Sequence, residues 1–158
     1  MKIFLDTADV DLIEKYYGTG LIDGVTTNPT LIKKSGYDPE EVYRKIALIG
    51  VDDISMEIVT DDSYEFLKEG RRLKEKFGEI TTIKVPCTPE GLKGCKLLSK
   101  EGIRVNVTLI FSAAQAVLAS KAGAAYVSPF VGRVDDNSFD GLRLIEAVSY
   151  THLTLPTT

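Results

Sequence analysis

Short apolar runs alternate with segments of helical periodicity along the whole chain, and no other feature constrains its fold as much. The first run, Ile3 to Leu5, precedes a helix capped by Asp9 that reaches Tyr17 and stops at Gly18. The second, Gly24 to Thr26, leads through Asn28-Pro29 and a short helical turn into a helix from Asp38-Pro39 to Ile49. A third run, Ile54 to Val59, pairs with a helix over Ser63 to Phe77, and a fourth, Ile80 to Val85, with one over Pro89 to Lys100. The fifth unit joins Arg104 to Leu109 to a helix over Ser112 to Ala122. The sixth joins Tyr126 to Val131, through a polar loop, to a helix over Phe139 to Ala147. Strands that recur every roughly 20 to 30 residues with a helix between them predict a parallel sheet covered by helices. A nucleotide-binding doubly wound sheet is disfavoured, since no Gly-x-Gly-x-x-Gly follows the first strand and no Gly-Lys-Ser phosphate loop occurs.

The alternation inside the strands selects among parallel folds. Successive side chains point to opposite faces of a strand. Leu5, Val25, Met56, Ile58, Ile83, Val85, Val105 and Val107 therefore form an apolar, helix-facing set. Asp6, Thr26, Glu57, Lys84, Asn106, Thr108 and Ser128 share the other parity at or near the C-terminal ends of their strands, with Asn28 just beyond. Singly, each has a local use: Thr26 can bond its own loop and Asn28 can close an Asx turn before Pro29. Together they aim polar groups from six strands at one mouth, which is where (β/α)8 barrels build their active sites. A closed barrel needs eight strands and typically at least about 200 residues. A chain of 158 residues with six units predicts an incomplete α/β barrel of the TIM type, occupying residues 1–148. Such a sheet leaves the outer edges of its first and sixth strands without the partners that closure supplies.

Lys84 is the sharpest chemical candidate. It lies in Thr81-Thr82-Ile83-Lys84-Val85-Pro86, where Pro86 and Pro89 end the strand and Thr88, Glu90 and Gly91 open the next helix. Desolvation among apolar neighbours lowers the pKa of an amine and favours its nucleophilic form, suited to Schiff-base chemistry. The alternative is a strand-end lysine that is solvated or paired with a carboxylate.

Composition removes several other chemistries. A single histidine, His152, and two cysteines, Cys87 and Cys95, match no metal or redox spacing, so no metal and no cofactor is expected, and the cysteines read as reduced, partly buried small hydrophobes. A net charge of −4 offers no general attraction for nucleic acid or an anionic membrane. The basic run Arg71-Arg72-Leu73-Lys74-Glu75-Lys76 falls on a helix whose apolar stripe is Phe66, Leu67, Leu73 and Phe77, as a solvated helix face does. With 44% hydrophobic residues, no leader pattern and no membrane-length apolar run, the expectation is one cytoplasmic globular domain.

Five stretches together resemble the short transaldolase family, which includes the fructose-6-phosphate aldolases. They are Leu5-Asp6-Thr7, Thr26-Thr27-Asn28-Pro29, Ile83-Lys84-Val85-Pro86, Asn106-Val107-Thr108-Leu109-Ile110-Phe111-Ser112 and Ser128-Pro129-Phe130-Val131-Gly132-Arg133. The resemblance runs from Met1 to about Ala147 and implies a (β/α)8 barrel with its Schiff-base lysine on the fourth strand, at Lys84. It implies that Lys84 attacks the C2 carbonyl of a ketose phosphate, such as fructose 6-phosphate or sedoheptulose 7-phosphate. It makes Asp6 the acceptor of the C4 hydroxyl proton, and Glu57, with a water held by Thr108, the proton shuttle. Asn28 and Asn106 bond the enamine hydroxyls, Thr26 and Ser128 shape the pocket, and Arg133 meets the phosphate. Asp135 and Asp136 lie close enough in sequence to pair with Arg133 instead.

Within that family the aldolase branch typically carries glutamine at the position of Glu57 and tyrosine at that of Phe130. A phenol can protonate the enamine and release dihydroxyacetone, whereas a phenyl ring leaves the enamine to await an acceptor aldehyde. The resemblance thus implies a transaldolase, with an aldolase or a catalytically silent fragment or interaction module as rival readings. It also implies sugar phosphates as the partners, and a homo-oligomeric parent. Residues 149–158, Ser-Tyr-Thr-His-Leu-Thr-Leu-Pro-Thr-Thr, do not resemble the family. They are expected to be a foreign tail that does not continue the preceding helix, in which His152 carries no function.

Overall fold

The computed structural model describes residues 1–154, with side chains to residue 150; the expectations for His152 and for the end of the 149–158 tail lie outside the described residues. The elements run β1 (Phe4–Asp6), α1 (Val10–Tyr17), β2 (Gly24–Thr26), α2 (Pro29–Ser35), α3 (Pro39–Ile49), β3 (Asp53–Glu57), α4 (Ser63–Phe77), a 3-10 turn (Gly78–Ile80), β4 (Thr81–Pro86), α5 (Pro89–Lys100), β5 (Arg104–Ile110), α6 (Ala113–Ala122), β6 (Tyr126–Pro129), α7 (Val131–Asp136) and α8 (Gly141–Thr154). The strands stand in the sheet in chain order, and β1 with β2, β2 with β3, β3 with β4 and β5 with β6 pair in parallel. This is the expected α/β fold: an incomplete (β/α)8-barrel type with six βα units among the described residues.

Two local expectations are corrected. The polar loop expected after the sixth strand contains α7, which places Arg133 on a helix. The last helix does not end near Ala147 but continues to Thr154, since no glycine or proline interrupts the sequence between Gly141 and Pro156.

Two compact units divide the chain. The first comprises Met1–Val59 and Lys68–Lys84. Its register sets Asp6 beside Thr26, Thr26 beside Ser55, and Glu57 beside Lys84, so the polar strand ends fall level by backbone pairing. On the opposite face Val25, Ile54, Met56 and Ile83 are wholly buried, each worth about 1.5–3 kcal/mol of apolar burial. The α3 helix turns Val42, Tyr43 and Ile46 into the same core, and Tyr43 meets Phe77 edge-on with ring centroids 5.9 Å apart. Asp9 and Asp38 cap α1 and α3 by accepting from Leu12 N and Glu40 N. The basic run is a solvated face, as expected: Arg72 pairs with Glu69 and Glu40, and Lys76 with Glu40.

The second unit comprises Thr60–Leu67 and the chain from Val85 onward. Here α5 starts almost against the end of β4, capped by the Thr88 hydroxyl accepting from Gly91 N at 3.1 Å. A Cβ on Gly91 would lie 2.0 Å from the Pro86 carbonyl oxygen, so only glycine lets the helix begin so soon after Lys84. Ser112 caps α6 through Gln115 N, and the Gln115 side chain accepts in return from Phe111 N. Both cysteines are free, and burial pushes the Cys95 thiol up to about 12 and raises Cys87 as well. No helix among the described residues is long and apolar enough to cross a membrane.

Candidate active site

The first unit brings Lys84, Glu57, Asp6 and Thr26 to the C-terminal ends of β4, β3, β1 and β2. Lys84 is only 5% exposed, and its Nζ donates to the Thr27 carbonyl at 3.1 Å and stands 3.5 Å from Glu57 Oε2. Lys84 is therefore buried and also paired with a carboxylate. Burial raises the Glu57 carboxyl above its ordinary value; Lys84 pulls it back, and Asp6 adds to the rise. A carboxyl so placed lies within reach of proton exchange with the amine. Asp6 is exposed and accepts from the Thr26 hydroxyl at 2.9 Å. Asn28 spends its side-chain oxygen on capping α2, accepting from Leu31 N at 3.0 Å, so its amide NH2 is the part left to meet a ligand.

In the second unit, Asn106 and Thr108 are buried on β5, and Ser128 on β6 donates to Asn106 Oδ1 at 2.8 Å. The Thr108 hydroxyl is buried without a hydrogen-bond partner among the described residues. A buried hydroxyl left unpaired costs about 1–3 kcal/mol, which a water or a substrate atom at that point recovers. Strict alternation ends there. Val107 pairs with Val127 but Ile110 with Pro129, so β5 has one residue more than β6 in that interval, and Leu109 takes φ 61°. Past the bulge Ile110 is wholly buried and pairs with Pro129, where unbroken register would set it beside Phe130. Beyond it the Phe130 ring lies 5.7 Å from that of Phe111, and the Arg133 guanidinium 5.5 Å from Phe130. Arg133 is exposed and has no carboxylate partner among the described residues; Asp135 accepts from Gly141 N instead. It lines a cavity of about 520 Å³ with Phe111, Asn137, Phe139 and Arg143.

Sequence reasoning missed three contributors. The Thr27 carbonyl touches the lysine, yet a main-chain oxygen has no residue letter. Tyr43 reads as one more residue of an amphipathic stripe, yet it is buried beside Thr27 with its phenol pushed up to about 12 by desolvation. Asp53, 2% exposed, accepts from the Thr82 hydroxyl at 2.7 Å one pleat below Lys84; the shared parity of Asp53, Ser55 and Glu57 was the available signal. A larger cavity of about 650 Å³, lined by Thr7, Asp9, Lys34, Tyr37 and Lys45 among others, includes neither Lys84 nor Glu57. The buried amine of Lys84 and the Glu57 carboxylate, 3.5 Å apart, lie outside that cavity's lining. No cluster of three or more His, Cys, Asp or Glu side chains suited to a metal occurs among the described residues.

Comparison with known proteins shows the family. A family model described as transaldolase/fructose-6-phosphate aldolase matches residues 3–152. A probable transaldolase of Nitrosopumilus maritimus is 49% identical over 97% of this chain and 71% of its own length. Probable transaldolases of Methanococcus maripaludis and Ruegeria pomeroyi are 55% and 52% identical, each over 94% of this chain and 68% of their own length. Among solved structures, the carboxyl transferase domain of Rhizobium etli pyruvate carboxylase gives a TM-score of 0.53 at 16% identity, covering 94% of this chain and 33% of that one. A mandelate oxidase gives 0.51 at 14% identity, covering 80% and 48%. At such identities these two likenesses are of fold alone.

Proposed function

Because the chain belongs to the transaldolase/fructose-6-phosphate aldolase family, we propose that it transfers a dihydroxyacetone unit from a ketose phosphate to an aldose phosphate through a Schiff base on Lys84. The observation that carries the reading is the buried Lys84 amine at the end of β4, 3.5 Å from a carboxylate whose own proton affinity is raised. The neutral amine adds to C2, the former carbonyl oxygen takes protons by way of Glu57, and water leaves to give an iminium. The C3–C4 bond then breaks with its electron pair delocalised into the iminium, while Asp6 takes the C4 hydroxyl proton and an aldehyde departs. The resulting enamine attacks a second aldehyde, Asp6 returns the proton to the new hydroxyl, and water addition at C2 releases the product and Lys84.

The remaining residues have binding tasks. The amide hydrogens of Asn28 and the Asn106–Ser128 pair are suited to the hydroxyls of a three-carbon enamine, and the unpaired Thr108 hydroxyl to the water of the addition steps. Arg133, without a carboxylate partner among the described residues, presents a planar fork to the phosphate. The proposal extends to a cytoplasmic setting and a homo-oligomeric enzyme. Its test is intact-mass spectrometry after incubation with fructose 6-phosphate and borohydride, followed by peptide mapping. The expected result is a reduced ketose adduct on Lys84 that disappears in Lys84→Ala. No adduct in the parent chain, or one that survives the substitution, refutes the assignment.

A further inference from the structure

We propose that Thr27 is a positioning residue for Lys84, its main-chain carbonyl holding one N–H of the amine so that the lone pair points at the incoming carbonyl carbon. The inference deepens the Schiff-base reading and rests on it for the identity of the natural substrate. Its physical core is the directionality of a primary amine. A neutral amine has two N–H bonds and one lone pair in tetrahedral array, and two acceptors flank Lys84 Nζ: Thr27 O at 3.1 Å and Glu57 Oε2 at 3.5 Å. With both hydrogens directed at those oxygens, the lone pair takes the remaining direction. Once the iminium has formed the nitrogen keeps a single hydrogen, and the nearer acceptor is the carbonyl. A carbonyl does not titrate, so it can hold that hydrogen through every step and leave Glu57 to move protons.

The carbonyl is itself held in place. Thr27 is wholly buried, and its amide and hydroxyl both donate to one acceptor, Ser55 O, at 3.2 and 2.8 Å. Ser55 and Glu57 are two residues apart on β3, so one strand sets both acceptors of the amine: Glu57 by its side chain, Thr27 O by way of Ser55 O. The buried Tyr43 phenol lies beside the Thr27 side chain on the α3 side. The hydroxyl is thus the piece of Thr27 that the arrangement requires, which separates a serine replacement from an isosteric valine.

The test compares the full 158-residue chain with Thr27→Val and Thr27→Ser by two imine-forming reactions, each followed by peptide mapping. Formaldehyde with cyanoborohydride reports the amine's readiness to form an imine, with exposed Lys121 in the same molecule as reference. Fructose 6-phosphate with borohydride reports the natural reaction. The expected result is that Thr27→Val slows modification of Lys84 relative to Lys121 by about tenfold in both reactions. Thr27→Ser should recover to within about twofold, while circular dichroism of all three chains stays the same. Equal formaldehyde rates in parent and Thr27→Val overturn the inference, as does a serine variant no better than valine. If formaldehyde discriminates and the ketose yields no adduct in the parent, the positioning role stands and the sugar-phosphate reading falls.

Discussion

Glu57 is drawn in opposite directions by stability and by chemistry. Burial raises its carboxyl above the ordinary value, more than Lys84 lowers it. Because the folded value lies above the unfolded one, the protonated form contributes stability that is complete below the unfolded value of about 4.3 and lost as pH rises through the folded value. Glu57→Gln keeps the shape of the protonated form and cannot ionise. Its melting temperature should match that of the parent near pH 4 and exceed it at pH 7 to 8, whereas a deficit that grows with pH would show that ionised Glu57 is a net stabiliser. The same substitution removes the proton carrier beside Lys84, so borohydride-trapped adduct should form about 10²-fold or more slowly at neutral pH. Lys84 keeps its Thr27 acceptor in this variant, which separates the loss of proton transfer from the loss of orientation.

At the scale of the element, the end of β5 carries the clearest conformational cost. Leu109 is a γ-branched residue at φ 61° within a bulge that follows Thr108. The left-handed conformation costs an L-residue roughly 1–2 kcal/mol. In an ordinary strand glycine is less stable than alanine by roughly 0.5–1 kcal/mol, and at this position the order should invert. Chemical denaturation of Leu109→Ala and Leu109→Gly should therefore find glycine the more stable by about 1 kcal/mol. The usual order would mean that the bulge is not strained. The case also marks a boundary of what a sequence discloses. The alternation Val105, Asn106, Val107, Thr108 can be read directly, because period two is written in the residues themselves. The extra residue that follows is decided by pairing with β6, and Leu109 looks like any other strand residue. Likewise Asp9, Asp38, Thr88 and Ser112 announce their helices by cap chemistry, whereas α7 has no side-chain cap to announce it.

Over the whole molecule, the fold class was legible because one signal, apolar run then helical period, is repeated six times, so an error of two residues at any boundary leaves the count intact. The candidate site was read as side chains at strand ends, whereas a main-chain acceptor such as Thr27 O has no residue letter to announce it. On the proposed Schiff-base reading, what the complete reaction yields depends on how long the enamine survives. The Phe130 ring, with its centroid 5.7 Å from that of Phe111 and near Arg133, has no acidic hydrogen, so on that reading it cannot protonate an enamine. Phe130→Tyr adds a phenol at the ring's edge with little change of volume. The variant should release free dihydroxyacetone from fructose 6-phosphate without an acceptor at least about tenfold faster than the parent, as a positioned general acid does. Addition of an aldose phosphate should then divert less of the donor to transfer than it does in the parent. Measuring dihydroxyacetone with and without acceptor separates the outcomes. Release already fast in the parent makes it an aldolase, and release unchanged by the phenol means that position 130 does not face the enamine.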